Sequence, residues 1–463
     1  MAKFKSRFIL KERVGVVGFG QTGKALLDFL LEKKLYENIF LYDDDVINEI
    51  EIKENYKKRG INFLIKENDF SKLEEMDLII LSPGINAITE RFNKIREKVK
   101  IVSEIEFASR FIDSKIIAVT GTNGKSTTVS LIHHILKSNG VKSVLAGNIG
   151  IPFISQINDI SNDSVVVLEA SSYQLEEIEI FRPHIAILLN VTPDHLDRYS
   201  SLEDYFSTKL NIFENQKEND YMILSYDDPL IKNYGYKSYK AKKVFFSIKE
   251  VLEDGSFVKD NYVCLDFMNK EDRVSLDRIQ LKGLHNVENI LASVIAARIM
   301  GIKPENIQKS IKNFKGLAHR MESLGKIGKV EFINDSKATN IDATLKSINS
   351  IDENMILILG NKDKGGNFKL LENSIKKRVY KVFLIGSAAN TIYEQLINIK
   401  EKLNFVEDFN EAVIRGYNLL KQKGGTLLLA PGCASFDMFK NFEHRGEIFK
   451  KEVSLLRDRV KHG

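Results

Sequence analysis

Ala118-Val-Thr-Gly-Thr-Asn-Gly-Lys-Ser-Thr-Thr128 carries the plainest chemical signal in this 463-residue chain. An apolar run that reads as a buried strand feeds a glycine-rich turn, and the turn opens a helix. Gly121 and Gly124 let the backbone curl with its amides pointing inward around Thr122 and Asn123. Ser126 and Thr127 begin a helix whose N-terminal dipole favours an anion. Such a cradle holds phosphate oxygens: Lys125 is placed to reach the β- and γ-phosphates of a nucleotide, and the Ser126 hydroxyl to bind Mg²⁺. The loop is a short form. Five positions before the Gly124-Lys125 pair, where the general pattern has glycine, the chain has Val119.

A second glycine loop, Val17-Gly-Phe-Gly-Gln-Thr-Gly-Lys24, has Gly18, Gly20 and Gly23 in dinucleotide spacing, after a strand and before a helix. Asp43 ends the next strand, at the acidic position that holds a ribose hydroxyl. Alone, these residues read either as an NAD site or as a ligand-free tight turn. The acidic Asp44 and Asp45 repel a phosphate and disfavour NADP. Further along, Glu169 ends the apolar run Val165–Leu168, where a carboxylate binds Mg²⁺ beside the phosphate loop. His195 follows another strand, in Asn190-Val-Thr-Pro-Asp-His-Leu-Asp-Arg198, and reads as a metal ligand at the same sheet edge. Lys209, on a helix, reads from its own surroundings as a solvated surface lysine.

The elements that must position these groups alternate. Strands are expected at Val14–Val17, Ile39–Tyr42, Leu78–Leu81, Ile116–Val119, Val165–Leu168, Ile185–Asn190, Val330–Asn334, Met355–Gly360, Val382–Gly386 and Thr426–Ala430. Helices are expected at Thr22–Glu32, Ser126–Lys137, Leu202–Phe213 and His285–Met300, where apolar residues recur at helical spacing. Residues 221–278 read as less regular. Strands alternating with helices imply parallel sheets. At roughly 100–200 residues per domain, the chain divides into three α/β units, 1–112, 113–316 and 317–463. Hydrophobic and charged fractions of 43% and 28% are those of a globular protein. No apolar run reaches the roughly 20 residues of a membrane span. The start of the chain lacks the apolar stretch of about 7–15 residues that an export signal needs. Two distant cysteines suit a cytoplasmic protein with free thiols. A net charge of +5 without a basic stripe argues against nucleic acid.

Together with Gly147-Asn-Ile-Gly150, Leu168-Glu-Ala-Ser-Ser-Tyr-Gln-Leu175, Leu284-His-Asn286, His319-Arg320, Asn334-Asp-Ser-Lys-Ala-Thr-Asn340 and Ala434-Ser-Phe-Asp-Met-Phe-Lys-Asn-Phe442, these motifs make the chain resemble the Mur ligases of peptidoglycan synthesis nearly end to end. Within that family it is most similar to members that join D-glutamate to UDP-N-acetylmuramoyl-L-alanine. The resemblance implies Rossmann-like N- and C-terminal domains flanking a central P-loop ATPase-type domain. It gives the first glycine loop to UDP rather than NAD, with Gly20, Gln21 and Thr22 at the diphosphate and Asp43 at the uracil end. Asn148 and Ser171 would line the precursor site. Besides Gly121 to Thr127, ATP would meet Asn289, Arg320 and Asp335. Two Mg²⁺ ions would be held by Ser126, Glu169, His195 and a carbamylated Lys209. Lys337 would meet the reacting end of the precursor, and Thr339, Lys364, Ser435 and Phe442 the D-glutamate carboxylates. A monomer is expected, with no membrane or nucleic-acid partner. The alternatives are another amide ligase such as a folylpolyglutamate synthase, an NAD-dependent oxidoreductase, and a nucleotide sensor without chemistry.

Overall fold

The strand-length apolar runs assemble into three sheets in the computed structural model, which describes residues 10–43, 50–65, 67–194, 198–233, 239–267, 270–281, 283–351, 354–363 and 365–462. The first sheet is β1 (Leu10–Val17), β2 (Tyr36–Asp43), β3 (Ile61–Ile65), β4 (Leu78–Leu81) and β5 (Lys100–Ser103), parallel throughout in the order β3-β2-β1-β4-β5. Strand order reverses beside β1, so the crevice for a ligand opens beyond the carboxyl ends of β1 and β4. The first glycine loop leaves β1 there, and the helix Gln21–Lys33 starts from it.

The second sheet has nine strands: β6 (Lys115–Thr120), β7 (Ser143–Gly147), β8 (Val165–Glu169), β9 (Ile185–Leu188), β10 (Tyr221–Ser225), β11 (Lys242–Ser247), β12 (Gly255–Lys259), β13 (Tyr262–Phe267) and β14 (Lys270–Ser275). Their order is β14-β13-β12-β11-β10-β9-β6-β8-β7. The sheet is parallel from β7 to β12 and antiparallel beyond. β6 lies between β8 and β9, so the phosphate loop, Glu169 and the 190–194 segment leave one sheet edge side by side. Two expectations change here. The stretch 221–278 is not irregular but supplies five strands. They are short, and β11 and β14 carry Lys, Glu, Asp and Arg, so no apolar run marks them. The strand expected over Ile185–Asn190 ends at Leu188, releasing Leu189 and Asn190 into the loop.

The third sheet is β15 (Glu322–Ile327), β16 (Val330–Asn334), β17 (Met355–Gly360), β18 (Val379–Ile385), β19 (Leu403–Phe405) and β20 (Gly425–Gly432), ordered β15-β16-β20-β17-β18-β19. All neighbours pair in parallel except the β15–β16 hairpin. The chain packs as two compact units, Met1–Asp277 with Glu288–Lys312, and Arg278–Val287 with Asn313–Gly463. Within the first unit, one apolar core runs from Val14, Leu26 and Ile80 through Ile105, Phe107 and Phe153 to Leu168 and Leu188. The helix Glu104–Ser109 is the joint, with residues 104 to 108 all buried. Glu106 on it is fully buried yet satisfied. Its Oε2 accepts from the amides of Glu179 (2.9 Å), Ile180 (2.9 Å) and Phe181 (2.7 Å), and its Oε1 accepts from Arg110 Nε at 3.0 Å. A buried carboxylate so fully bonded fixes geometry, because removing any donor leaves charge uncompensated. Among the described residues, no helix is long and apolar enough to cross a membrane.

Candidate active site

The phosphate loop owes its shape to what surrounds it. Gly124 has φ +89°, and a side chain there would place Cβ 2.2 Å from Asn289 Oδ1. Only glycine relieves both constraints. The loop is clasped from β9: Thr122 N donates to Asn190 O at 2.9 Å, Asn123 N to Asn190 Oδ1 at 2.8 Å, and Asn190 Nδ2 to Asn123 O at 3.1 Å. The Asn123 amide, expected to face phosphate, is thus engaged in holding the loop. Helix geometry leaves the first amides of Lys125–Ser138 without intrahelical acceptors, and these carry the cradle. Lys125 Nζ donates to the carbonyls of Gly121 (2.8 Å) and Thr122 (2.9 Å). Asn289 also accepts from Thr128 Oγ1 at 3.3 Å, which fixes it against the loop. Asn190 escaped the sequence reading because the expected strand swallowed it. Asn190→Ala deletes two side-chain hydrogen bonds, each of about 0.5–1.5 kcal/mol. We expect KM for ATP to rise about 5–20-fold, read from initial rates against ATP; an unchanged KM would remove Asn190 from the site.

Glu169 ends β8 with 2% exposure. Its Oε1 accepts from Asn148 Nδ2 at 3.0 Å, while Oε2 is buried without a partner. A buried carboxylate oxygen is costly when unpaired, and an oxygen-seeking cation such as Mg²⁺ is a fitting partner. Among the described residues, no three His, Cys, Asp or Glu side chains cluster to hold a metal. Lys209 is not the surface lysine its own surroundings suggested. It is 1% exposed, its Nζ donates to Gly121 O at 3.1 Å, and it lies 4.1 Å from the Tyr205 ring centroid. Burial, then the nearby Lys125 charge, push its pKa well below the ordinary lysine value, against an opposing pull from Asp194. His195 lies outside the described residues.

In the first unit a cavity of about 540 Å³ opens where β1 and β4 end. Gly20, Gln21, Thr22 and Asp43 line it, and so do Asn148 and Gly150 from the second sheet. Gly23 packs so closely that a Cβ there would sit 1.8 Å from Gly18 O. Asp43 Oδ2 accepts from Phe19 N at 2.6 Å, which locks the carboxylate to the loop. Gln21 Nε2 donates to Gly150 O at 2.8 Å and ties the two sheets together across the cavity. Ser171 caps the short helix Ser172–Leu175 in a reciprocal box with Gln174. Ser82, Arg91 and Gln174 also line the cavity and were not foreseen. Ser82 directly follows the Leu78–Leu81 strand, a signal that was available. Asp44 falls outside the described residues.

The remaining candidates stand in the second unit, on the carboxyl side of the third sheet. Asp335 is buried, which raises its pKa, although Ser347 Oγ, the Met321 amide at 3.1 Å and the charge of half-buried Arg320 oppose the rise. Lys337 Nζ lies 3.8 Å from the centroid of the Phe442 ring. Thr339 is half-buried and Ser435 buried; Lys364 is outside the described residues. Sequence reasoning missed Arg445, which is fully buried in this cluster. It donates to Ser336 Oγ (2.9 Å), Ser336 O (2.7 Å), Asn361 Oδ1 (3.1 Å) and Cys433 O (3.0 Å). None of these partners is a carboxylate, and burial lowers its pKa to about 10, so the guanidinium stays charged. It ties together the ends of β16, β17 and β20 beside the expected D-glutamate residues.

This arrangement, a phosphate loop beside a buried acid and a buried lysine with a nucleotide-sized cavity on the adjoining sheet, has close counterparts. The profile of the Mur ligase middle domain matches residues 119–297, and that of the MurD N-terminal domain residues 13–91. A UDP-N-acetylmuramoylalanine–D-glutamate ligase of Alkaliphilus metalliredigens is 38% identical, covering 96% of this chain and 98% of that one. The chain belongs to the Mur ligase family. The like-named ligase of Caldanaerobacter subterraneus subsp. tengcongensis is 40% identical, covering 97% and 99%. Among solved structures, the MurF ligase of Thermotoga maritima in complex with ADP shares the fold. Its TM-score is 0.59 at 17% identity, covering 97% of this chain and 96% of that one. UDP-N-acetylmuramate-alanine ligase MurC from the same organism does so at TM-score 0.57 and 17% identity, covering 96% and 100%.

Proposed function

We infer that this chain joins D-glutamate to UDP-N-acetylmuramoyl-L-alanine in peptidoglycan precursor synthesis, consuming ATP and releasing ADP and phosphate. The observation that carries this reading is identity of 38–40% along nearly the whole chain to ligases of that name. The oxidoreductase alternative leaves the phosphate loop, Glu169, His195 and Lys209 without a task, and a nucleotide sensor without chemistry would not need Glu169, His195 and Lys209 together. In this reading residues 1–112 take the UDP end of the precursor, 113–316 bind ATP and carry the chemistry, and 317–463 take D-glutamate.

A carboxylate is a poor electrophile, so the precursor's alanyl carboxylate attacks the γ-phosphorus of ATP, ADP leaves, and an acyl phosphate forms. The amine of D-glutamate adds to the acyl carbon, the tetrahedral adduct expels phosphate, and the amine loses a proton as the amide forms. Lys125 and Arg320 stabilise charge on the transferring phosphoryl group. Ser126 and Glu169, with His195 and the modified Lys209, are the residues that would hold Mg²⁺, which when bound would withdraw charge from the phosphates. Lys337 orients the reacting carboxylate. Thr339, Lys364, Ser435 and Phe442 orient glutamate, with Arg445 bracing the backbone around them. Lys209 enters as its carbamate: burial beside Lys125 favours the neutral amine, the form that adds to carbon dioxide with loss of a proton, and the product is an anion that a metal could use.

The test is phosphate release with ATP, Mg²⁺ and UDP-N-acetylmuramoyl-L-alanine, adding D-glutamate, L-glutamate, L-lysine or diaminopimelate in turn. Release with D-glutamate alone is expected. Release with another amino acid overturns the substrate, and no release with any overturns the ligase.

A further inference from the structure

Glu104 has no part in the chemistry above, yet it is 1% exposed and sits behind the cavity assigned to the precursor. Its Oε1 accepts from the amide of Ile154 at 2.7 Å, at the start of the turn Phe153–Asp159. That turn ends the segment carrying Gly147, Asn148, Gly150 and Pro152 into the cavity wall. Its Oε2 is buried with no partner at ordinary hydrogen-bond distance. At longer range the Phe153 amide and the Gln174 side chain favour the charged form. Gln174 is itself 2% exposed, and its Oε1 accepts from Ser171 N (3.1 Å) and Ser171 Oγ (3.2 Å), which leaves its amino group to face Glu104.

We propose that Glu104 is a positioning residue for the precursor site, holding from behind the two segments, 147–154 and 171–174, that form the cavity wall reaching Glu169 through Asn148. The proposal rests on the reading of that cavity as the precursor site. Ionised, Glu104 accepts from neutral donors and keeps both segments in place. Protonated, its hydroxyl needs an acceptor, and Gln174 can supply one only by turning its carboxamide over and releasing Ser171. Burial pushes the Glu104 carboxyl up to about 7, and the groups acting on it, the Ile154 and Phe153 amides and Gln174, are all neutral. Glu106, the nearest acid on its own helix, is engaged with Arg110 and the 179–181 amides. The change of geometry therefore falls in the working pH range.

Phosphate release is measured against precursor and against ATP from pH 6 to 9 for wild type, Glu104→Gln and Glu104→Asp. For wild type, KM for the precursor is expected to rise about fivefold as pH falls through about 7, the effect of one lost hydrogen bond. Glu104→Gln, which carries a donor at every pH, is expected to show the raised KM throughout without an inflection, with kcat and KM for ATP within about twofold. Glu104→Asp keeps the charge but withdraws it from Ile154, so a raised KM that still responds to pH is expected. Thermal unfolding supplies a check on folding. A carboxyl raised from 4.5 to about 7 gives stability that is full below pH 4.5 and lost as pH rises through 7. Wild type should therefore lose ground to Glu104→Gln across that window. A Glu104→Gln enzyme with wild-type KM and pH profile overturns the proposal. So does an equal change in both KM values and kcat, which marks general damage. No precursor-dependent release by wild type overturns instead the reading of the cavity.

Discussion

Replacing Lys209 by alanine is expected to lower kcat by about 10²–10³-fold, the range for deleting one electrostatic stabiliser of a transition state, while the protein still folds and binds ATP. The Lys209 side chain donates to Gly121 O and packs on the Tyr205 ring, but against these contacts a buried amine costs desolvation whether charged or neutral. Its placement makes sense for chemistry. Nζ lies under the phosphate loop, on the same carbonyl that Lys125 contacts. Two cations on one carbonyl repel, and the repulsion adds to burial in driving Lys209 toward the neutral amine. In the proposed reading carbon dioxide adds to that neutral amine with loss of a proton, which would leave an anion close to the positive Lys125. Two further results follow. Wild-type enzyme stripped of dissolved carbon dioxide should lose activity and regain it with bicarbonate. The alanine variant should ignore bicarbonate but respond to a small carboxylic acid that fills the space. A Lys209→Ala enzyme within threefold of wild type would leave the lysine a packing residue.

The contrast between Lys209 and Lys125 shows what a sequence discloses. Lys125 is legible because local chemistry dictates its place: strand, glycines and helix start fix where its side chain goes. Half of the described strands were legible for the same reason, since runs such as Leu78–Leu81 and Met355–Gly360 are uninterrupted, apolar and buried on both faces. Lys209 is read differently because its burial comes from residues nearly ninety positions away, and a helix with Glu203, Asp204 and Ser207 around it looks solvated. Without the family resemblance it would have stayed on the surface. Asn190, Arg445 and Glu104 share this property. Each acts through backbone groups of distant segments, and backbone groups leave no mark in sequence. Arg445 and Glu104 lie on helices, amid charged neighbours that mask a residue turned inward. The strands Lys242–Ser247 and Lys270–Ser275 were lost for another reason: at least half their residues are polar, and at six residues neither period nor apolarity singles them out.

Glu169→Gln should prove the sharpest separation of chemistry from folding. Glutamine has the same shape, and its carbonyl oxygen can keep accepting from Asn148 Nδ2, now 3.0 Å from Oε1. What changes is the other position, where a buried oxygen without a partner becomes an amino group. An unpaired buried carboxylate oxygen is a cost to the folded protein that a bound cation would offset. Without added metal, the variant is therefore expected to unfold at the same temperature as wild type or higher. Its kcat, in contrast, is expected to fall about 10²–10³-fold, because a positively polarised amino group now points where a divalent cation would neutralise phosphate charge. The Mg²⁺ concentration for half-maximal rate should rise at least about tenfold, as expected when a metal site loses an interaction that supports it. Melting curves with and without Mg²⁺ complete the argument. Wild type should gain stability from the metal by mass action and the variant should gain less. Equal gains in the two proteins would show that Glu169 does not hold the metal, and its buried oxygen would then need a different partner.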